Sequence, residues 1–477
     1  MRLIHLLPLV PFALAAPTAP TPELSASQWN SIQSSFVDGV RSLGSWSWTK
    51  AEDLINEIES EGNAKDESDL TIWQQLQADP NSFSKLVKVI KFEEKSIKYL
   101  DNKDAQITFF APNNDALHDP RHDDDDHDHD DFVGLMANPS LATLSSILDK
   151  TPSLLEEDKD DDDEKKKRRK EIFKKIAGKV LQYHGLPKAY TASELAQNST
   201  LETALKAGDG SFGGLNRRIR IVKTFVPPSL KINFYAKVLV SDKKARNGYL
   251  HTLNHPLIPP GSILEEVFLF PDTFSTLTSS VQKVHGSKYL DWSYDHDESK
   301  PGKPKFKGAP LVTLFAPTNV AFGLLPPKLK FYLFSPFGEK ALTKVLMYHA
   351  IPETLLLSEL LYTEKKGKVE VENFNIADDP SFHKEFSVGT ALPNTTLKIV
   401  VDKSRFLPIE GAVKTTITVN DIPVNTIDVP ARNGASHIID KILVPPHKHH
   451  HSHGEDFASL DSWDNWEEWL PLWADEE

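Results

Sequence analysis

Val312-Thr313-Leu314-Phe315-Ala316-Pro317-Thr318-Asn319 is a short β-branched and aromatic run stopped by a proline. Ile107-Thr108-Phe109-Phe110-Ala111-Pro112-Asn113-Asn114 repeats it 205 residues earlier. Each reads as a strand ended by proline, with Asn113 or Thr318-Asn319 placed to cap a following helix. Working outward, further matches keep the same order. Upstream, Pro80-Asn81-Ser82-Phe83-Ser84-Lys85-Leu86 pairs with Pro271-Asp272-Thr273-Phe274-Ser275-Thr276-Leu277. Downstream, Tyr183-His184-Gly185-Leu186-Pro187 pairs with Tyr348-His349-Ala350-Ile351-Pro352, and a Ser-Glu-Leu follows each, at Ser193 and Ser358. Last come Ala245-Arg246-Asn247-Gly248 and Ala431-Arg432-Asn433-Gly434, each leading to a double proline, Pro259-Pro260 and Pro445-Pro446. The offsets are 191, 205, 165 and 186 residues, so insertions fall between the landmarks while their order holds. One such match is chance; four in order mark a duplicated domain.

Each landmark has a local reading. A proline followed by Phe83, Leu86, Val87 and Ile90 at helical spacing predicts a helix with one buried stripe. Asn-Gly predicts a hairpin turn, since both residues tolerate positive φ. The apolar run His437–Val444 predicts a strand that closes at the double proline. Helices early and strands late in each unit imply an α+β fold with a mixed or antiparallel sheet.

These landmarks resemble the fasciclin-like domain family. Phe315–Phe322 is similar to its Phe-Ala-Pro-Thr-Asn-x-Ala-Phe stretch, whereas Phe110–Leu117 departs with Asn113 and Leu117. Tyr183-His184 and Tyr348-His349 resemble its central Tyr-His signature, and Asn247–Asn254 and Asn433–Asp440 its closing one. The resemblance spans roughly Asp69 to Pro446 and implies two tandem wedges, each a helical face on a sheet, with extracellular adhesion or matrix roles. It makes Tyr183, His184, Tyr348 and His349 the candidates for partner contact; their own context, an apolar helix ending near proline, reads instead as buried and structural.

The rest of the composition sets bounds. A chain of 477 residues suggests about two to four domains. The net charge of −14 argues against a nucleic-acid binder, and the lack of cysteine excludes disulfides and thiolate sites. Met1-Arg2, the apolar run Leu3–Leu14 and Ala13-Leu14-Ala15 read as a signal peptide cut after Ala15. No later apolar run reaches the length of a bilayer span, and the acidic C-terminus lacks a lipid-anchor signal. The expected plan is a signal peptide (1–15), an N-terminal helical or linker segment (16–68), a first domain (69–260) with charged insertions near 118–131 and 156–175, a second domain (261–446) and a tail (447–477). The expected destination is outside the cell or at its surface, with a vacuole lumen as the alternative.

Several stretches fall outside the repeat. Between His118 and Asp131 stand eight aspartates and four histidines, His118, His122, His127 and His129; His447, His449, His450, His451 and His453 follow Pro446. Imidazoles and carboxylates bind divalent metals, so a weak Zn²⁺, Cu²⁺, Ni²⁺ or Ca²⁺ role is the alternative function; an extended, solvated loop is the plainer account. Lys165–Lys170 reads as a solvated helix face or a protease-sensitive dibasic site. Trp463, Trp466, Trp469 and Trp473 recur at steps of three and four, opposite Asp464, Glu467 and Glu468, and predict a helix whose ring-bearing face is buried, first on its own chain, with a partner groove or a membrane interface as the alternatives. Trp46, Trp48, Leu54 and Ile55 form a similar piece near the N-terminus, expected to cover the first repeat. Asn198 and Asn394 sit in glycosylation sequons. No hydrolase, metalloprotease or phosphate-loop motif is present, so the expected protein is non-enzymatic and needs no cofactor.

Overall fold

The computed structural model describes residues 69–117, 141–150, 164–225, 228–295, 298, 305–374, 381–405, 413–447 and 463–476. Gly62–Lys223 and Leu230–Glu477 form one compact unit, which holds both halves of the duplication. The first repeat opens with helices α1 (Ile72–Ala78), α2 (Pro80–Phe92) and α3 (Glu94–Leu100), then strand β1 (Ile107–Pro112) and helices α4 (Leu141–Lys150) and α5 (Glu164–Tyr183). After β2 (Gly185–Leu186) and α6 (Ala192–Leu195) come β3 (Thr200–Lys206), β4 (Asn216–Phe225), β5 (Pro228–Ile232), β6 (Ala236–Ala245) and β7 (Gly248–Leu253).

The second repeat runs α7 (Ile263–Leu269), α8 (Pro271–Lys283), β8 (Trp292–Tyr294), β9 (Phe306–Gly308), β10 (Val312–Pro317), α9 (Asn319–Gly323), α10 (Pro327–Phe334) and α11 (Glu339–Tyr348). Strands β11 (Ala350–Pro352), β12 (Thr354–Leu357), β13 (Leu360–Lys365), β14 (Lys368–Asn373), β15 (Ser381–Gly389) and β16 (Thr396–Arg405) follow. It closes with β17 (Val413–Val419), β18 (Ile422–Pro423), β19 (Thr426–Ala431) and β20 (Gly434–Ile439), and α12 (Trp466–Asp475) comes last.

In the first repeat the strands order as β2-β1-β7-β6-β5-β4-β3, with β1 parallel to β7 and antiparallel to β2. In the second, β11-β10-β20-β19 keeps that centre, β10 again parallel to β20, while the other strands separate into smaller sheets. The fold is α+β with mixed sheets. Both proline-led helices form as their sequence dictates. Pro80 and Pro271 occupy the first helical position, where a missing N–H costs nothing. Phe83, Leu86, Val87 and Ile90 turn inward from α2, as Phe274, Leu277 and Val281 do from α8.

Two expectations need correcting. The closing strand stops at Ile439, short of the double proline: Thr318 donates its N–H to Ile439 O, the last bond beside the β10–β20 ladder, and its hydroxyl to the Asp440 side chain. Also, the charged stretch 156–175 is only partly an insertion. From Glu164 onward it is α5, whose Phe173, Ala177, Val180 and Leu181 are buried while Lys174, Lys175 and Lys179 face water. The basic run is the beginning of a core helix.

The repeats meet over an apolar cluster of Ala207, Phe212, Leu311, Leu355, Leu357, Leu360, Tyr362 and Ala435. Its rim is polar. Phe212 N–H donates to Pro310 O at 2.9 Å, Tyr362 Oη to Gly213 O at 3.1 Å, and Arg217 to Arg432 O. The Glu359 carboxylate accepts from Ser199 N–H at 2.8 Å and Thr200 Oγ1 at 3.0 Å.

Candidate functional site

The signature residues converge, in each repeat, on the parallel strand pair, β1 with β7 and β10 with β20. Tyr183 ends α5 fully buried; its hydroxyl donates to Arg218 O at 3.1 Å and accepts from Asn233 Nδ2 at 2.9 Å. Tyr348 ends α11 in the same state, bonded to Thr396 O at 3.3 Å and Asn420 Nδ2 at 2.8 Å. Asn233 and Asn420 take φ of 49° and 45°, a region asparagine tolerates better than most residues. Burial pushes the Tyr183 phenol well above its ordinary value.

Beside each tyrosine lies a buried histidine. His184 Nδ1–H donates to Val180 O at 2.8 Å and Nε2 accepts from Leu257 N–H at 2.8 Å. His349 does likewise with Val345 O at 2.7 Å and Leu443 N–H at 3.0 Å. One nitrogen must donate and the other accept, so both rings are held neutral, and burial lowers each to about 4. A second pair serves the closing strands. His251 accepts from Asp242 N–H and donates to Tyr190 O; His437 accepts from Asp428 N–H and donates to Leu356 O. These rings stack on Phe110 and Phe315 at 5.6 Å and 5.3 Å.

The Asn-Gly landmark works differently from its sequence reading. Ala245 pairs with Gly248 and Ala431 with Gly434, so the two turn residues are Arg-Asn and the glycine is the first strand residue. Each glycine has positive φ, 135° and 149°, and a Cβ there would lie 1.7 Å from Ile107 O or Val312 O. The asparagine is a three-way tie. Asn247 accepts from Ile72 N–H and donates to Leu100 O and Asn102 O; Asn433 accepts from Ile263 N–H and donates to Leu290 O and Ala309 O. The second asparagine of the strand motif also has a job the sequence did not reveal. Thr318 provides the expected cap of α9, and Asn113 Oδ1 accepts from Ala116 N–H in the turn after β1, while Asn114 and Asn319 reach back to α2 and α8, accepting from Lys85 N–H and Thr276 N–H.

The fasciclin domain profile matches residues 159–259 and 272–445. The chain belongs to the fasciclin domain family. Among its relatives, the aurofusarin biosynthesis cluster protein S of Gibberella zeae is 26% identical over 226 residues, 46% of this chain and 51% of that protein. The transforming growth factor-beta-induced protein ig-h3 of Sus scrofa is 23% identical over 221 residues, 46% of this chain and 25% of that protein. This fasciclin chain thus spans about half the length of the first and a quarter of the second. A solved FAS1 domain pair from the insect cell adhesion molecule fasciclin I is 15% identical, covering 76% of this chain and 97% of its own, with a TM-score of 0.29.

The remaining candidates separate sharply. Asn394 is exposed on the loop between β15 and β16, with φ of 58°. Asn198 is half-buried, its Nδ2 bonded to Glu194 O, and the sequon's Thr200 is buried beneath Glu359. His447 is buried and stacks on Trp469 at 3.7 Å. His118, His122, His127, His129, His449, His450, His451 and His453 lie outside the described residues, as do the stretch 1–15 expected to be a signal peptide and the Trp46–Ile55 piece. Among the described residues no group of three or more metal-ligating side chains forms, and no helix is long and apolar enough to cross a membrane.

Proposed function

We propose that this is a secreted, non-enzymatic adhesion protein that binds a protein or matrix partner through the outer faces of its fasciclin domains. One observation carries the reading. The signature polar groups, Tyr183, His184, Asn247 and their counterparts, are buried and spend their hydrogen bonds inside the fold. Such groups position a surface; they are not the surface. What the Tyr183–His184 helix end offers a partner is the solvent side of α5, where Lys174, Lys175, Lys179 and Gln182 are exposed. Two domains joined through a packed cluster would also present two faces at fixed spacing, which raises avidity when one partner carries two sites. Secretion would bring Asn394, exposed on its loop, into reach of the glycosylation machinery.

The test is attachment of cells to the immobilised protein. Replacing Lys174, Lys175 and Lys179 by glutamate should abolish attachment and leave thermal unfolding unchanged. Attachment that survives the triple reversal would remove this face from the account. A wild-type protein that supports no attachment would remove the function.

A further inference from the structure

The C-terminal helix covers the α10–α11 face of the second repeat. Trp466, Trp469, Leu470, Trp473 and Ala474 of α12 are buried in the second repeat's core cluster. Trp466 lies against Tyr332 of α10 at 5.3 Å, and Trp469 stacks on Trp463 at 5.9 Å and on His447. Lysines of α11 hold the other end. Lys344 Nζ donates to Trp473 O at 2.7 Å and Glu476 O at 2.6 Å, and sits 5.1 Å from the Trp473 ring. Lys340 pairs with Asp475 at 2.7 Å. Cations at the C-terminal end of a helix meet its negative dipole end and its unpaired carbonyls.

This helix does not sustain itself. It starts after Asn465 in a left-handed conformation with no side-chain cap, and Pro471 interrupts its interior. Ten residues is short of the length at which isolated helices hold together in water. Its order comes from the groove. Residues 448–462 tie it covalently to the second repeat. A segment ordered by its seat, matched to it in charge and joined by one strand of chain, has the attributes of a bound peptide.

We propose that the α10–α11 face is an exchangeable helix-docking groove. Its ligand is an acidic helix with tryptophans at steps of three and four. The chain's own C-terminus supplies that ligand in cis, and the same segment of a second copy supplies it in trans. Tethering keeps the local concentration of the resident segment high, so the cis form prevails until the tether is cut or the copies are crowded. The proposal stands apart from the adhesion reading, because it is read out by peptide binding and not by attachment.

The probe is a fluorescent peptide of residues 463–477, added to the full chain carrying a protease site within 448–462. The uncut chain should exclude the peptide. After cutting, the resident fragment should leave on dilution and the peptide take its place, with affinity lowered about tenfold or more by Lys344→Ala in the protein or Trp469→Ala in the peptide. A fragment that stays through gel filtration while the peptide never binds would make α12 a fixed part of the core and overturn the proposal. So would a fragment that leaves without the peptide binding, or a repeat that unfolds once the fragment is gone.

Discussion

The helices that end at Tyr183 and Tyr348 are the same element twice, yet they meet the world differently. Lys175 and Lys179 of α5 correspond to Lys340 and Lys344 of α11 at the offset of 165 residues that relates the tyrosines. In the first repeat these lysines face water. In the second they grip the end of a tryptophan-bearing helix. Inside, the signature ties have kept their form: tyrosine hydroxyl to asparagine, histidine between a carbonyl and an amide, asparagine tying three backbone groups, all recur partner for partner. An unpaired buried polar group costs more than the bond itself is worth, so the interior set changes together or not at all, while surface positions drift at little cost. Duplication here kept a scaffold and released two faces.

The most damaging way to probe that shared interior is at the two glycines. Gly248→Ala and Gly434→Ala each force a Cβ into a carbonyl oxygen from a backbone conformation alanine avoids. Each should cost more than about 4 kcal/mol, enough to leave its repeat unfolded. Urea unfolding of the full chain followed by circular dichroism measures it. A loss below about 1 kcal/mol for either variant would break the equivalence of the two hairpins.

Acid should act on both repeats alike. His184 and His349 sit at about 4 when folded, below the ordinary value of 6.5. The native state therefore refuses a proton that the unfolded chain accepts. Stability is complete above pH 6.5 and is lost as pH falls toward 4, by about 3 kcal/mol per histidine. The urea midpoint should drop steadily between pH 7 and pH 4.5, and His349→Gln should remove about one proton from that slope. A midpoint that does not move with pH would mean these rings are not held neutral.

Glu359 tests whether the repeats act as one body. Its carboxylate takes two hydrogen bonds from the first repeat, and charged bonds of this kind are worth about 1.5–3 kcal/mol each at most. Glu359→Ala should weaken the coupling by about 2 kcal/mol and divide a single calorimetric transition into two. An undivided transition would assign the coupling to the apolar cluster around Phe212 and Tyr362.

The duplication, the strand ended by proline and the inward stripe of α2 were legible because each is a local pattern with a period. The tryptophan helix was legible too, since large rings on one side of a helix have to be covered, although it begins only at Trp466 and leaves Trp463 ahead of its first turn. The ties were not. That Asn247 reaches Ile72 and Leu100, or that Asn233 caps a tyrosine hydroxyl 50 residues away, depends on contacts across the fold that no spacing encodes. Asn-Gly misled for a related reason: the glycine is required by a neighbouring strand's carbonyl, which a hairpin read in isolation does not include. The candidate contact residues follow the same logic. Tyr-His is easy to find in the sequence because it recurs in both repeats, and it lies beneath the surface because its hydroxyl and ring nitrogens bond inside the fold.

The smallest effect is the most discriminating. Lys179→Ala removes a solvated side chain and should change stability by less than about 0.5 kcal/mol. Lys344→Ala removes two hydrogen bonds to carbonyls and a cation over the Trp473 ring, and should cost about 1–2 kcal/mol. Tryptophan fluorescence during urea unfolding reports it directly, because Trp473 leaves its buried seat as α12 releases. The early part of the transition should move in Lys344→Ala and stay fixed in Lys179→Ala. Equal effects would mean that the lysines serve a common structural purpose in both repeats, and the divergence of the two faces would then reduce to the presence of the tail alone. Unequal effects place the difference at two homologous positions: the same lysine is spare in one repeat and the anchor of a helix in the other.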